Sequence, residues 1–185
     1  MTIAAVRPAE QSDVDEIVRI QALTWRTAYT GVLPPAALER LDSPAARAAW
    51  SDAVAAGEGY HVLVATEGAW TVGFCAAARY TGQDGAVIAE IGTLVVEPRW
   101  GRRGHGGRLL AAAAAALRGS DGERGRVWVP DPDAASRSFY ARAGWEPDGA
   151  VRTLDTGDGT VREVRLSGPL DLAVTPGRAA VPDRP

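Results

Sequence analysis

Residues 93–110 read TLVVEPRWGRRGHGGRLL, an extended apolar run that passes into a glycine-rich turn and then into a helix rich in leucine and alanine. Strand, turn and helix in that order bring several backbone N–H groups together at one helix N-terminus, which makes an anion site. Gly104, Gly106 and Gly107 carry no side chain to block close approach. Arg102 and Arg103 add positive charge beside the helix dipole. A diphosphate fits such a turn, and a solvated flexible loop is the competing reading of a glycine-rich segment taken alone.

Two other phosphate-binding patterns can be tested on the same residues. A P-loop needs a lysine to reach the terminal phosphates, and all 20 basic residues of this chain are arginine. A dinucleotide-binding turn needs a third glycine where Leu109 stands, and it opens a parallel strand–helix–strand unit. Here three antiparallel-looking strands come first.

Those strands are Tyr60 to Ala65 and Thr71 to Tyr80, separated by the hairpin residues Glu67, Gly68 and Ala69, and then Val87 to Val96. Upstream, Ile3 to Val6 is β-prone, and Ser12 with Asp15 resembles a capping box for a helix from Asp13 to about Tyr29. Gly31, Pro34 and Pro35 interrupt it, and Ala36 to Leu41 and Ala45 to Val54 read as helical pieces ended by Gly57 and Gly59. Downstream, the pattern predicts a helix over Arg103 to Leu117, a strand over Arg126 to Val129 and a helix over Asp133 to Ala143 that Gly144 ends. Two last strands, Glu146 to Leu154 and Val161 to Leu166, join through Gly157, Asp158 and Gly159. The proline-bearing tail after Leu172 is expected to be disordered, leaving one domain over 1–170.

A chain of 185 residues, 46% hydrophobic and 23% charged, can bury a core without metal or disulfide staples. Its net charge of −3 supplies no field for DNA or RNA. The single Cys75 makes no internal disulfide, and two histidines form no metal-ligand cluster. The N-terminus has no basic start or long apolar run, and Leu109 to Leu117 is too short to span a bilayer, so a cytoplasmic location without membrane attachment is expected. The arginine-only, alanine-rich composition suggests a GC-rich bacterial genome.

With strand LVVEP at 94–98 leading into Gly104 and Gly106, the chain resembles the GNAT superfamily of acetyltransferases. Gly101 stands where that cofactor motif usually has Gln or Arg, and the neighbouring Arg102 is the substitute. A second match, DAASRSFYARAGW at 133–145, is similar to the family's Asn-x-x-Ala-x-x-Phe-Tyr helix, with Asp133 and Ser136 as departures and Trp145 in place of Phe. The segment WRTAYTGVLP at 25–34 is similar to one in a broad group of bacterial members with diverse acceptors. The resemblance spans about Val6 to Leu170. It implies a mixed α/β fold, with a mostly antiparallel sheet of six or seven strands, about four helices and acetyl-CoA as cosubstrate. The activity it implies is acetyl transfer to a primary amine on a small molecule, an amino acid or a peptide N-terminus, and an exposed face would allow a homodimer. A non-catalytic acetyl-CoA sensor is the alternative.

The resemblance also implies roles for residues. Backbone groups of Leu94, Val95 and Val96 hold pantetheine and polarise the acetyl carbonyl. Arg102, Arg103, Gly104, His105, Gly106 and Gly107 form the diphosphate turn, and Asp133 meets the pantetheine amide as an acceptor. Tyr140 matches the tyrosine near the CoA sulfur, and a phenol of pKa about 10 protonates a thiolate while remaining neutral itself. Glu90 occupies a position where many members carry a general base. Trp25 and Tyr29 share a helix face near the acceptor entrance, with core packing as the competing role. The His105 side chain is expected to pack or face solvent, His61 to be an ordinary strand histidine, and Cys75 to be buried and inert.

Overall fold

The glycine-bounded β-prone runs assemble into one seven-stranded sheet in the computed structural model, which describes residues 4–119 and 123–172. The strands are β1 (Ala4–Pro8), β2 (Tyr60–Glu67), β3 (Trp70–Thr81), β4 (Val87–Val96), β5 (Arg124–Pro130), β6 (Glu146–Asp155) and β7 (Thr160–Pro169). The helices are α1 (Val14–Ala28), α2 (Pro35–Glu39), α3 (Pro44–Ala55), α4 (His105–Leu117) and α5 (Ala134–Arg142). In space the strands run β1-β2-β3-β4-β5-β7-β6. All neighbours are antiparallel except β4 and β5, which are parallel. Parallel neighbours need a crossover, and α4 supplies it.

The helices cover both faces. α4 buries Leu109, Leu110, Ala113, Ala114 and Leu117, the single stripe its 3.6-residue period permits, against β2, β3 and β4. On the opposite face Ile17 and Ile20 of α1 pack with Val62, Val64, Phe74 and Val95. Trp145, fully buried after α5, takes the space left by Gly125 and Gly168; a Cβ built on Gly168 would lie 2.1 Å from the indole. That close approach is why two core strands carry glycine where β-propensity disfavours it. No helix among the described residues is long and apolar enough to cross a membrane.

Several boundaries differ from expectation. α1 is preceded by a 3-10 turn, Gln11–Asp13, and the capping box is made by Glu10 and Asp13 rather than by Ser12 and Asp15. Asp13 wins because its carboxylate takes the Glu10 N–H and also a bidentate pair of bonds from Arg7 on β1, fastening the helix start to the sheet. The piece expected over 36–41 divides into α2 and a 3-10 turn, Arg40–Asp42, giving five α-helices instead of about four. α4 begins at His105, two residues late, because Gly104 is left-handed with φ 82°. The tail beyond Leu172 and residue Ile3 lie outside the described residues.

The Arg7 bond, with the Glu10 N–H and the Arg7 charge adding to it against burial, holds the Asp13 carboxyl below its ordinary value. A depressed folded-state pKa contributes stability that is present above the unfolded value, about 3.9, and is lost as pH falls through the folded one. Denaturant midpoints taken from pH 7 down to pH 2 are therefore expected to fall more shallowly for Asp13→Asn than for the wild type. Parallel curves would remove Asp13 from the acid response.

Candidate active site

β4 and β5 pair only at Glu90–Arg126 and Ile91–Val127. Beyond Ile91 the two strands part, so the β5-facing edge of Gly92 to Val96 has no strand partner. Gly92 is the extra residue in a bulge, since Ala76 faces Thr93 and Ala77 faces Ile91 across β3. Bulges bend and twist a strand, and this one lies where β4 turns away from β5. An open strand edge of this kind offers N–H and C=O groups to an extended ligand that carries amides of its own.

A groove of about 960 Å³ follows that edge to the start of α4. Leu94 and Val96 border it on β4, Gly104, Gly106 and Gly107 at the turn, and Phe139 and Tyr140 on α5. No side chain caps the helix, so its first N–H groups stay open to an anion. Gly106 is required by closeness: a Cβ there would meet the Phe139 ring at 3.1 Å. Three arginines, Arg102, Arg108 and Arg142, line the groove, and none has a carboxylate partner among the described residues. Arg102 is the one described non-glycine residue with positive φ, 64°. Strain of this kind concentrates at ligand sites.

A smaller cavity of about 260 Å³ opens on the other side of the parting strands. Trp25 of α1, Tyr29 just past its end, Leu33, Trp128 of β5, and Val161 and Glu163 of β7 form much of its wall. Leu94, Ser136 and Tyr140 line both cavities. Tyr140 is thus at their junction, 4% exposed, and its hydroxyl has no hydrogen-bond partner among the described residues. Burial, with smaller contributions from Cys75, Tyr29 and Asp133, pushes the phenol well above its ordinary pKa. The group is a protonated donor across the physiological range.

Residues 58–147 match the family model described as an acetyltransferase (GNAT) domain. The chain carries a GNAT acetyltransferase domain. Solved structures share its fold over nearly the whole length. The PaiA N-acetyltransferase of Thermoplasma acidophilum in complex with coenzyme A is 16% identical, with 88% of this chain and 98% of that chain covered at a TM-score of 0.71. The yncA acetyltransferase of Salmonella typhimurium with acetyl-CoA is 19% identical, with 95% and 99% covered and a TM-score of 0.66. The ribosomal-protein-S18-alanine N-acetyltransferase of Escherichia coli is 16% identical, with 97% and 100% covered and a TM-score of 0.61. No curated protein matches the chain in sequence.

The residues expected at the site are not all brought to the groove. Asp133 was expected on the pantetheine side; instead it N-caps α5, taking the Ser136 N–H at 2.9 Å and the hydroxyls of Ser136 and Tyr29 at 2.7 Å each. A capping position points the carboxylate at the helix start and the tyrosine, and Asp133 does not border the groove. Glu90 lines neither cavity; Arg126 holds its carboxylate at 2.6 Å, one layer below the parting strands. Arg103 stacks on Trp100, 4.9 Å from the ring centre, and bonds Glu67 outside the groove. The His105 ring packs, as expected, 1% exposed between Glu67 at 2.8 Å and Arg108 at 3.2 Å, so only its backbone is available to a phosphate. Cys75 is fully buried, its thiol pushed up to about 12 by burial. Trp25 and Tyr29, in edge contact at 5.5 Å, line the smaller cavity rather than only filling core. Glu163, which the sequence pattern did not single out, also borders the smaller cavity. An acid at the alternate position after Val161 on an inward strand face was the available signal.

Proposed function

We propose that the chain transfers acetyl from acetyl-CoA to a primary amine by direct attack, with both substrates bound together. The observation that carries this reading is Tyr140, which borders the large basic groove and the small apolar cavity at once. The groove suits acetyl-CoA: the uncapped start of α4 and Arg102, Arg108 and Arg142 would hold the diphosphate, and the free edge of β4 the pantetheine arm. That ligand supplies the thioester; everything else is supplied by the chain.

In this reading N–H groups on the edge of β4 beyond Ile91 polarise the thioester carbonyl, and one such donor is worth about a hundredfold in rate. The amine enters through the small cavity and its nitrogen attacks the carbonyl carbon. Tyr140 gives its proton to the sulfur as the carbon–sulfur bond breaks, and the proton shed by the nitrogen restores the hydroxyl. The products are the acetamide and free CoA. Cys75, buried and protonated, takes no acetyl group.

Glu90 is left outside this scheme by its ion pair with Arg126. Glu90→Gln is expected to change kcat by less than about threefold, whereas loss of a general base costs about a hundredfold or more. Steady-state CoA release measured with a saturating amine separates the two, and a hundredfold loss would return the base role to Glu90, acting through water.

A further inference from the structure

Glu163 is 9% exposed, and Arg152 takes only one of its oxygens, Oε2, at 2.6 Å. Its other oxygen, Oε1, has no hydrogen-bond partner among the described residues, and the side chain borders the small cavity. A buried carboxylate with an open oxygen calls for a donor. Around it the wall is mainly apolar and aromatic, with Trp25, Leu33, Trp128 and Val161; Thr93, Ser136 and Thr156 are among its neutral polar members, and no arginine lines the cavity. Behind Tyr29 stands a second carboxylate, Asp133. Burial raises the Tyr29 pKa, with the Asp133 bond and charge and the smaller Glu163 charge adding to it, so both acids lie near that hydroxyl.

Building on the acetyl-transfer reading, we propose that the acceptor is a compact monoamine with an aromatic or branched aliphatic body and no carboxylate. Glu163 takes the ammonium at its open oxygen and guides the nitrogen toward Tyr140, and the nitrogen attacks once this first proton has passed through the carboxylate to solvent and freed its lone pair. The apolar wall takes the body of the molecule. At about 260 Å³ the cavity falls below the roughly 300–1,000 Å³ of sites for drug-sized ligands, so it suits a single ring or a short branched chain. A free amino acid would bring its α-carboxylate toward Glu163 with no basic side chain in the wall to receive it, and an unpaired buried charge is costly. A polyamine would bury a second ammonium against apolar side chains with no second open carboxylate to meet it.

The discriminating experiment follows CoA release by the full chain with acetyl-CoA and three acceptors, phenethylamine, phenylalanine and spermidine, and measures acetyl-CoA binding by calorimetry alongside. Phenethylamine and phenylalanine differ only in the carboxylate. The expected result is a kcat/KM for phenethylamine at least about tenfold above either competitor. In Glu163→Gln, the KM for phenethylamine is expected to rise about tenfold, as befits one hydrogen bond to a charged group, with acetyl-CoA affinity unchanged. Intact acetyl-CoA binding with phenylalanine or spermidine turned over equally well or better would overturn the acceptor class and leave the transferase reading standing. An unaltered KM in Glu163→Gln would remove Glu163 from the amine site. Absence of both acetyl-CoA binding and CoA release would overturn the two readings together.

Discussion

Replacing Gly104 by glutamate is expected to weaken acetyl-CoA binding by at least about a hundredfold, or about 2.8 kcal/mol at 1.4 kcal/mol per decade. Two independent costs converge on that residue. Its φ of 82° is a conformation that a residue with a Cβ adopts only with strain, and the added carbon would press on the Arg108 guanidinium at 3.2 Å. The new carboxylate would also occupy the open start of α4 and compete there with the diphosphate for the same N–H groups. Isothermal calorimetry of wild type and variant, with CoA and ATP as comparators, reads the effect directly. Equal affinities in the two proteins would place the diphosphate elsewhere, and ATP binding as tight as acetyl-CoA would argue for a nucleotide site instead.

Tyr140→Phe is expected to lower kcat by about 10² to 10⁴, the range assigned to a positioned acid, while leaving acetyl-CoA affinity unchanged. The ring stays, and with it the edge contact to Phe139 at 5.0 Å and the tilted contact to Trp145 at 5.5 Å, so folding is preserved and only the proton is lost. The pH dependence follows from the direction of the shift. An acid must be protonated to act, so activity persists below its pKa and is lost as pH rises through it; because burial raises the phenol, that loss lies above the ordinary value of about 10. A kcat profile of the wild type with an alkaline limb near neutrality, or a Phe variant with full kcat, would take the acid role away from Tyr140.

What could be read in advance depended on how local the signal was. The donor half of the site is contiguous: LVVEP, the turn glycines and the helix start are neighbours in the chain, and strand-to-turn-to-helix order alone marks them as an anion cradle. The β2–β3 hairpin was equally legible, because Gly68, with φ 61°, is the residue a two-residue turn demands. The proposed acceptor half is assembled across the chain. Tyr29 meets Asp133 from 104 positions away, and Glu163 joins them only because β7 inserts between β5 and β6. No period or spacing encodes such a meeting. The surroundings of Asp133 and Glu90 were hidden for the same reason: the groups that bond them, Tyr29 and Arg126, are brought near by sheet topology. The capping box moved by two residues because Arg7, on a strand, chose Asp13.

The parting of β4 from β5 has a thermodynamic side. The strands β1 to β4 and the strands β5 to β7 are two half-sheets stitched together by two residue pairs, with a row of main-chain groups left to water above the seam. A ligand laid along that row behaves as a missing strand, so its binding energy is also cohesion between the halves. By mass action a ligand at a hundred times its dissociation constant adds about 2.7 kcal/mol to the folded state. With acetyl-CoA in the proposed groove, the folded chain is expected to be firmest when loaded, with resistance to heat and to proteolysis that rises with cosubstrate concentration.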